Sequence, residues 1–311
     1  MYHLAIAIPK LKRLRFPLSR DQIMMLMVAF NELMLAVEIY AAHRTSGTIV
    51  TREWIPIVFG PIAAVLLGLA GLISLRKRSL GMAIAIPTLI ASLVVGLLGA
   101  FFHLTRAMLP YAPAGQQVNI QLFVWAPPIL APLTFALVAL FGFSAIWKEN
   151  TVDSGNLSLF GRINLNLPFS KTRGYYFLVS LGLLATLISC VLDHARTNFS
   201  NPWLWVPTAA GVLGTVVAVL LGIFDKPSAN DIRIYMGTMI LIILVGVTGV
   251  VLHALSNLTS EGVLVVERFL RGAPILAPLL FADLASIGLI ATLDPCESRI
   301  LVEVGIEDDG L

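Results

Sequence analysis

Apolar residues fill eight long stretches of this chain, and shorter polar segments separate them. Each stretch holds about 20 residues, the length that a helix needs to cross the hydrocarbon core of a bilayer. The predicted spans cover residues 22–43, 54–75, 81–103, 122–147, 175–195, 203–224, 233–255 and 271–293. The pattern therefore predicts an all-α integral membrane protein with eight transmembrane helices.

The second half of the sequence repeats the first. The clearest match is an octet with two glycines three residues apart and a histidine four residues further on. It occurs as Gly96, Gly99 and His103 and, 150 residues later, as Gly246, Gly249 and His253. At about 100° per residue, these positions share one helix face and form a groove that ends at an imidazole. Either a neighbouring helix or a flat ring can pack closely against such a groove.

Further matches keep a nearly constant separation. It is 151 residues for Pro17 and Pro168, His43 and His194, and Trp54 and Trp205, and it is 146 residues for Pro132 and Pro278. We predict two four-helix repeats at residues 22–147 and 175–293. Because four is an even number of spans, the repeats are parallel, and a pseudo-two-fold axis along the membrane normal relates them. A basic leader (1–21), a polar linker (148–174) and an acidic tail (294–311) complete the predicted organisation.

Composition and charge place the chain in a membrane and set its orientation. Hydrophobic residues make up 58% of the sequence and charged residues 13%, with a mean hydropathy of +0.88. About a quarter of a soluble domain is charged, so that class is excluded. Of the 21 Lys and Arg, 15 lie on one side of the predicted spans. The positive-inside rule then predicts a multi-pass protein of the cell inner membrane with both termini cytoplasmic, and nothing indicates nucleic-acid binding.

Four of the five histidines end the odd-numbered spans: His43, His103, His194 and His253. Every odd-numbered span runs outwards in the predicted topology, so the four imidazoles lie at one depth, near the outer edge of the hydrocarbon. Imidazole is a common haem and metal ligand and titrates near neutral pH. These four are the predicted cofactor-binding residues. The alternative is that they are ordinary interfacial histidines that reach for water.

The first span is the most polar of the eight. Asn31 and Glu38 are seven residues apart and share one helix face, while Glu32 and His43 share another. A charge inside the bilayer costs several kcal/mol and by default indicates function. Glu38 and Asp193 are therefore the predicted catalytic residues, which orient an imidazole or take its proton. The alternative is that Glu32 and Glu38 are protonated or hydrogen-bonded packing residues.

Prolines interrupt the spans that follow the two grooves. The fourth span carries Pro127, Pro128 and Pro132, and the eighth carries Pro274 and Pro278. A proline inside a helix removes one hydrogen bond and frees the carbonyl four residues earlier, which in a membrane needs another partner. We expect either simple kinks that shape the bundle or an outer half that opens into a cavity.

An outer site with these groups fits two cofactors. A quinone needs apolar walls for its tail, and a histidine and a carboxylate that exchange protons with its ring oxygens. Haem b needs two facing histidines, and the same four residues would then be its ligands. No other metal site is predicted.

In architecture, eight spans in two parallel four-helix repeats with a polar outer site resemble the membrane quinone subunit of polysulfide-reductase-type oxidoreductases. The resemblance covers the whole hydrophobic chain and rests on its arrangement rather than on a sequence motif. It implies a quinone site near the outer face and an extramembrane iron–sulfur partner. The chain would then be a subunit of a respiratory or electron-transfer complex, in contact with lipid and with other subunits.

Two other classes of protein stay open. A small-solute or ion transporter suits parallel repeats, proline-broken helices and intramembrane carboxylates, but the predicted polar groups cluster near one face. A non-catalytic anchor would use only the short loops that this chain exposes. The sequence lacks a phosphate loop, a zinc CxxC set and a nucleophile elbow, and whether the protein is an enzyme is left open.

Overall fold

The computed structural model describes residues 3–10, 18–74, 76–108, 111–118, 124, 128–160 and 162–293. Its helices are α1 (His3–Ala7), α2 (Arg20–Ser46), α3 (Trp54–Ile73), α4 (Arg78–Ala107), α5 (Leu130–Ile146), α6 (Lys171–Ala195), α7 (Trp205–Ile223), α8 (Ala229–Asn257), α9 (Val266–Arg271) and α10 (Leu276–Ile290). Two 3-10 turns, Thr51–Glu53 and Pro202–Leu204, lead directly into α3 and α7. The predicted acidic tail and residues 11–17 of the predicted leader lie outside the described residues.

Six of these helices are long and apolar enough to cross a membrane: α2, α3, α4, α6, α7 and α8. Helices α5 and α10 are also apolar, but they have only 17 and 15 residues. Large apolar side chains stay exposed on the outer helices, such as Val65 at 62% and Leu244 at 59%. A soluble protein could not leave so many of them in water, so the chain is a mostly helical, multi-pass membrane protein.

The predicted eighth span is wrong at its start. It was expected to begin at residue 271, where α9 ends, but the next helix begins only at Leu276. Pro274 keeps the residue before it out of the helical conformation, and Pro278 lies in the first turn of α10, where no backbone donor is needed. In the fourth span, α5 begins at Leu130 and Pro132 lies in its first turn, while the predicted start at residue 122 lies outside the described residues. Pro127 lies outside the described residues.

A small sheet occupies the predicted polar linker. Strands β1 (Lys148–Glu149), β2 (Asn156–Leu159) and β3 (Ile163–Asn166) form an antiparallel sheet in the order β1-β2-β3. Asn156 pairs with Asn166, and Leu159 pairs with Ile163. The sequence predicted a polar linker here and gave no sign of these short strands; the membrane part of the described chain is all-α, as predicted.

Helices α2, α5, α6 and α10 form the centre of the molecule. Helix α2 packs on α5 and α10, and α6 packs on the same two helices. Helices α3 and α4 flank the N-terminal half, which we define as residues 20–146, and α7 and α8 flank the C-terminal half, residues 171–290. Each half packs its helices in the same order, and the two halves meet along the central four helices.

The two halves are tied together at the start of α2 and α6. Ser19 and Ser170 cap these helices in the same way, and each is followed by a buried cation. Arg20 donates to Thr172 Oγ1 at 2.8 Å, while Lys171 donates to a carboxylate oxygen of Asp21. Each cation therefore binds a residue of the other half, namely the one that directly follows that half's own cation. Such reciprocal contacts are typical of a two-fold relation between two units.

Candidate functional site

Helices fill the two glycine grooves. A methyl group on Gly96 would lie 2.7 Å from the backbone nitrogen of Ala136, and one on Gly246 would lie 2.8 Å from the carbonyl oxygen of Pro278. Such distances leave no room for a side chain. Of the two predicted occupants, a helix and a flat ring, the grooves hold a helix: α5 in the N-terminal half and α10 in the C-terminal half.

The histidine at the end of each groove binds a carbonyl that a proline has freed. His103 Nδ1 lies 2.8 Å from the carbonyl oxygen of Pro128, and His253 Nδ1 lies 2.7 Å from that of Pro274. Pro128 and Pro274 each stand just before a helix begins, and the residue four positions later is a proline without an N–H, Pro132 in one half. The histidine is therefore the partner of a carbonyl to which the helix backbone offers no donor.

This bond fixes the protonation pattern of the ring. A carbonyl oxygen only accepts, so Nδ1 of His103 and of His253 carries a proton, and in the neutral ring Nε2 is the nitrogen with the lone pair. Among the described residues, none forms a hydrogen bond with Nε2 of either ring. Both rings are half-buried. Histidines that ligate a cofactor are commonly held in this way, with the other ring nitrogen donating to a backbone carbonyl.

The N-terminal histidine pair consists of His43 and His103, with ring centroids 6.2 Å apart. His43 Nδ1 bonds the carbonyl of Ile39 at 2.9 Å, and its Nε2 lies 3.9 Å from Glu53 Oε1. Arg106 Nη1 lies 3.7 Å from the same oxygen of Glu53. The pair therefore has one free imidazole nitrogen, a second imidazole and a carboxylate at the end of the helix bundle.

The C-terminal histidine pair consists of His194 and His253, which interact electrostatically with each other and with Asp193. His194 Nδ1 lies 3.5 Å from Cys190 Sγ. The sequence predicted that the four histidines lie at corresponding positions. The structure groups them as two pairs, one in each half, each with a carboxylate nearby.

The two predicted catalytic carboxylates differ in their surroundings. Asp193 lies beside the C-terminal pair, as the prediction that it serves an imidazole requires. Glu38 is half-buried, and its charge interacts with that of Asp193 across the interface between the halves. The carboxylate nearest the N-terminal pair is Glu53 instead. Sequence reasoning missed it because Glu53 lies in a connecting turn, and its counterpart 151 residues later is Leu204.

Deeper polar groups lie inside the central bundle. Asn31 Nδ2 donates to Asp283 Oδ1 of α10 at 3.2 Å, and Ser92 Oγ of α4 bonds Glu32 Oε1. The two polar faces predicted for the first span are therefore real: one meets the C-terminal half and the other meets α4. Sequence reasoning missed Asp283, although an acidic residue in an apolar run was the signal. These groups also show that polarity is not confined to the end of the bundle where the histidine pairs lie.

The described part of the chain contains no cluster of three or more His, Cys, Asp or Glu that could hold a metal ion. Each histidine pair brings two imidazoles together, fewer than the four ligands of a structural zinc. No protein-family model matches this sequence, and no curated protein and no solved structure is significantly similar to it.

Proposed function

We propose that this protein is an integral membrane subunit of an electron-transfer complex and binds quinone headgroups at its two histidine pairs. The observation that carries the proposal is the same arrangement in both halves: His103 and His253 donate from Nδ1 to a proline-freed carbonyl and keep Nε2 free. A ring locked in this way presents one lone pair in a fixed direction. If the arrangement served only packing, there would be no need for an unpartnered Nε2 in both halves.

The residues around each free nitrogen can move a proton. A bound quinone would supply a two-electron redox couple. Nε2 of His103 can accept a proton from a ring hydroxyl. His43 lies beside His103 and is near enough to Glu53 to pass a proton to that carboxylate. In the C-terminal half, His194 and Asp193 take the same roles beside His253. Imidazole suits this task because it changes charge near neutral pH.

Apolar surface next to the pairs suits a quinone tail. Phe101, two residues before His103, is 58% exposed, and Leu252 and Leu255, on either side of His253, are 54% and 58% exposed. In a bilayer these side chains face lipid. A tail that lies along them stays in the hydrocarbon while the headgroup reaches the imidazole, so each pair is accessible from the membrane.

We also propose that the chain is a duplicated four-helix unit and that all eight predicted spans cross the membrane. Corresponding glycines meet corresponding residues: Gly60 and Gly211 pack on Ala36 and Leu187, and Gly142 and Gly288 pack on Leu89 and Met239. These matches support a duplicated four-helix unit in which α5 and α10 complete each repeat. The reciprocal contacts of Arg20 and Lys171 support a pseudo-two-fold axis along the membrane normal, because both helices begin on the same side.

We further propose an inner-membrane location with both termini cytoplasmic, which puts the histidine pairs at the outer face. The test is cysteine labelling in a variant without the two native cysteines. Ala114→Cys is expected to react with an impermeant thiol reagent from outside, and the control Lys226→Cys only after the membrane is opened. The reverse pattern would overturn the orientation.

Haem b is the second candidate cofactor, because a carbonyl-locked histidine is also typical of haem ligands. Purified protein separates the two when its quinone content is extracted and its reduced-minus-oxidised spectrum is recorded. We expect quinone and no haem bands. Haem bands would instead indicate that haem, rather than quinone, binds at the same residues.

Variants of the locked histidines complete this test. His103→Ala with His253→Ala is expected to lose the bound quinone. The matched control, His103→Asn with His253→Asn, can still donate to the two carbonyls, so it should fold normally and also lose quinone, because the free lone pair of Nε2 is gone. Wild-type protein with neither cofactor would contradict the electron-transfer proposal and leave a transporter or an anchor for partner subunits.

A further inference from the structure

A serine in the centre of the N-terminal half lies between two hydrogen-bond acceptors. Ser92 Oγ contacts Glu32 Oε1, and it lies 3.2 Å from the carbonyl oxygen of Phe135. Ser92 and Glu32 are both fully buried, at 0% exposure. A serine hydroxyl has one proton, so it can donate to only one of the two oxygens at a time. The Phe135 carbonyl lies inside α5 and also accepts from the backbone of that helix, whereas Glu32 Oε2 has no hydrogen-bond partner among the described residues. If Glu32 were a carboxylate, its negative charge would be buried with one oxygen lacking a donor.

A proton on Glu32 removes this uncompensated charge. The acid then donates to Ser92 Oγ, and Ser92 donates to the Phe135 carbonyl, so both hydroxyl protons have an acceptor. The surroundings agree, since no charged side chain of the described residues acts on Glu32, and its Oε2 has no hydrogen-bond partner there. An unpaired carboxylate in such a place is far more costly than a neutral acid.

The groups that face Glu32 are few and can be named for each neighbouring helix. Helix α3 contributes Gly60, α4 contributes Ser92, and α5 contributes the backbone of Phe135. On α2 itself the adjacent polar residue is Asn31, which bonds Asp283 of α10. Within the described chain, Asp283 is the nearest titratable side chain that this network of bonds reaches.

Packing alone does not require this polar pair. The corresponding residues of the C-terminal half are Leu183 and Ile242, which are also 0% exposed. Both lie against Gly214. The same place in the fold is therefore filled by two apolar side chains in one half and by an acid with a hydroxyl in the other. The acid is thus a feature of the N-terminal half that the shared architecture does not need.

We propose that Glu32 is a proton-binding site inside the membrane. The resting protein holds it as a neutral acid. When the carboxyl O–H bond breaks and the proton passes to a water molecule, the Ser92 hydroxyl turns from the Phe135 carbonyl to the carboxylate. Proton occupancy therefore decides whether the Ser92 hydroxyl of α4 donates to α5 or to α2. The inference rests on contacts in the bundle centre and does not depend on the histidine pairs.

The oxygen count favours a proton over a metal cation. Ions such as Ca²⁺ take six to eight oxygen ligands. The structure brings together three oxygen-bearing residues here, Glu32, Ser92 and Phe135. A proton needs only the single donor and acceptor that this chain of groups provides.

The test uses the full-length protein in lipid vesicles and two carbodiimides. A hydrophobic carbodiimide reacts with protonated carboxyl groups in apolar surroundings, whereas a water-soluble one with an added amine reacts with carboxyls in contact with water. Peptide mass spectrometry is expected to find Glu32 modified by the hydrophobic reagent only, and Glu53 modified by the water-soluble reagent. Glu32→Gln should lose the hydrophobic adduct and keep the Glu53 adduct.

Three results would overturn the proposal: no hydrophobic adduct on Glu32, modification of Glu32 by the water-soluble reagent, or protection of Glu32 by sodium ions at constant pH. The last would make the occupant a cation. Leu183→Glu with Ile242→Ser is the matched variant, because it builds the same pair in the C-terminal half. A new hydrophobic adduct on that glutamate would show that burial beside a serine is sufficient to hold the proton.

Discussion

The two halves of this protein share their packing but not their polarity. In both halves a groove glycine meets the helix that follows, and a histidine binds the carbonyl that a proline has freed. In the bundle centre, however, Glu32 and Ser92 stand where the C-terminal half has Leu183 and Ile242. All four are fully buried. The comparison separates the features that both halves have from those that only one half has.

The shared features lie at the two ends of the bundle. At one end, the cations that follow the caps of α2 and α6 bind across the halves, and at the other end each half has its own histidine pair. Glu32, whose counterpart in the C-terminal half is the apolar Leu183, lies between these two ends. If Glu32 binds a proton as proposed, that site is present in one half only, whereas each half has a histidine pair.

The largest expected effect is at the junction of the halves, where Asp21 and Thr172 hold corresponding positions. Asp21→Ala would leave the buried Arg20 and Lys171 without their carboxylate, which should cost about 3–5 kcal/mol. Thr172→Val removes only one hydrogen bond to Arg20 and should cost about 1 kcal/mol. Thermal unfolding in detergent micelles measures both. Equal costs would mean that the junction is not electrostatic.

The next largest effect is expected in the bundle centre, where one half has a buried acid and the other has apolar residues. Leu183→Glu places a carboxyl among apolar groups without a donor and should lower stability by about 2–3 kcal/mol. Adding Ile242→Ser should restore about 1 kcal/mol by supplying the missing hydroxyl. Glu32→Gln, which resembles the neutral acid, should leave the unfolding temperature nearly unchanged. A large loss with Glu32→Gln would indicate that the wild-type group is charged.

A pH effect is expected where α1 docks on the C-terminal half. His3 is buried, with Nδ1 2.7 Å from the hydroxyl of Tyr176, and burial lowers the pKa of His3 from 6.5 to about 4. The folded state keeps the neutral ring, so the docking of α1 is strongest above pH 6.5 and weakens as pH falls towards 4. At pH 5 the loss should be about 2 kcal/mol. Hydrogen exchange of residues 3–7 measures it, and His3→Gln should be insensitive to pH over this range.

The smallest effect tests whether the grooves are equivalent. Gly96→Ala and Gly246→Ala should each cost about 1–2 kcal/mol, since both added methyl groups would meet backbone atoms of the next helix. Gly237→Ala is the control in the same helix as Gly246, because nothing lies within 4 Å of an added methyl group there. It should stabilise α8 by up to about 1 kcal/mol. Unequal costs for the two groove glycines would argue against the duplication.

Much of this arrangement could be predicted from the sequence, because its signals are local. The apolar runs, the two octets and the effect of Pro132 and Pro278 on the carbonyls before them follow from spacing and backbone chemistry. The partner of those carbonyls could not be predicted, since His103 and Pro128 are 25 residues apart and meet only through packing. The helix of the eighth span also begins later than predicted, at Leu276 after Pro274, because hydropathy does not register a break between apolar residues.

The partners of the acidic residues could be found only in the structure. Spacing on α2 correctly divided Asn31 from Glu32, but it could not show which helix each face would meet. Asp283 and Glu53 were missed because one lies in an apolar run and the other in a turn. The linker sheet was missed since its strands are short, at two to four residues.

The stoichiometry of quinone binding tests the central claim most directly. A short-chain quinone is titrated into the purified protein in lipid nanodiscs, for the wild type, His103→Asn, His253→Asn and the double variant. We predict two bound quinones per chain in the wild type, one in each single variant and none in the double variant, because each half presents one free imidazole nitrogen. Unchanged binding in the double variant would contradict the claim that these histidines form the cofactor site.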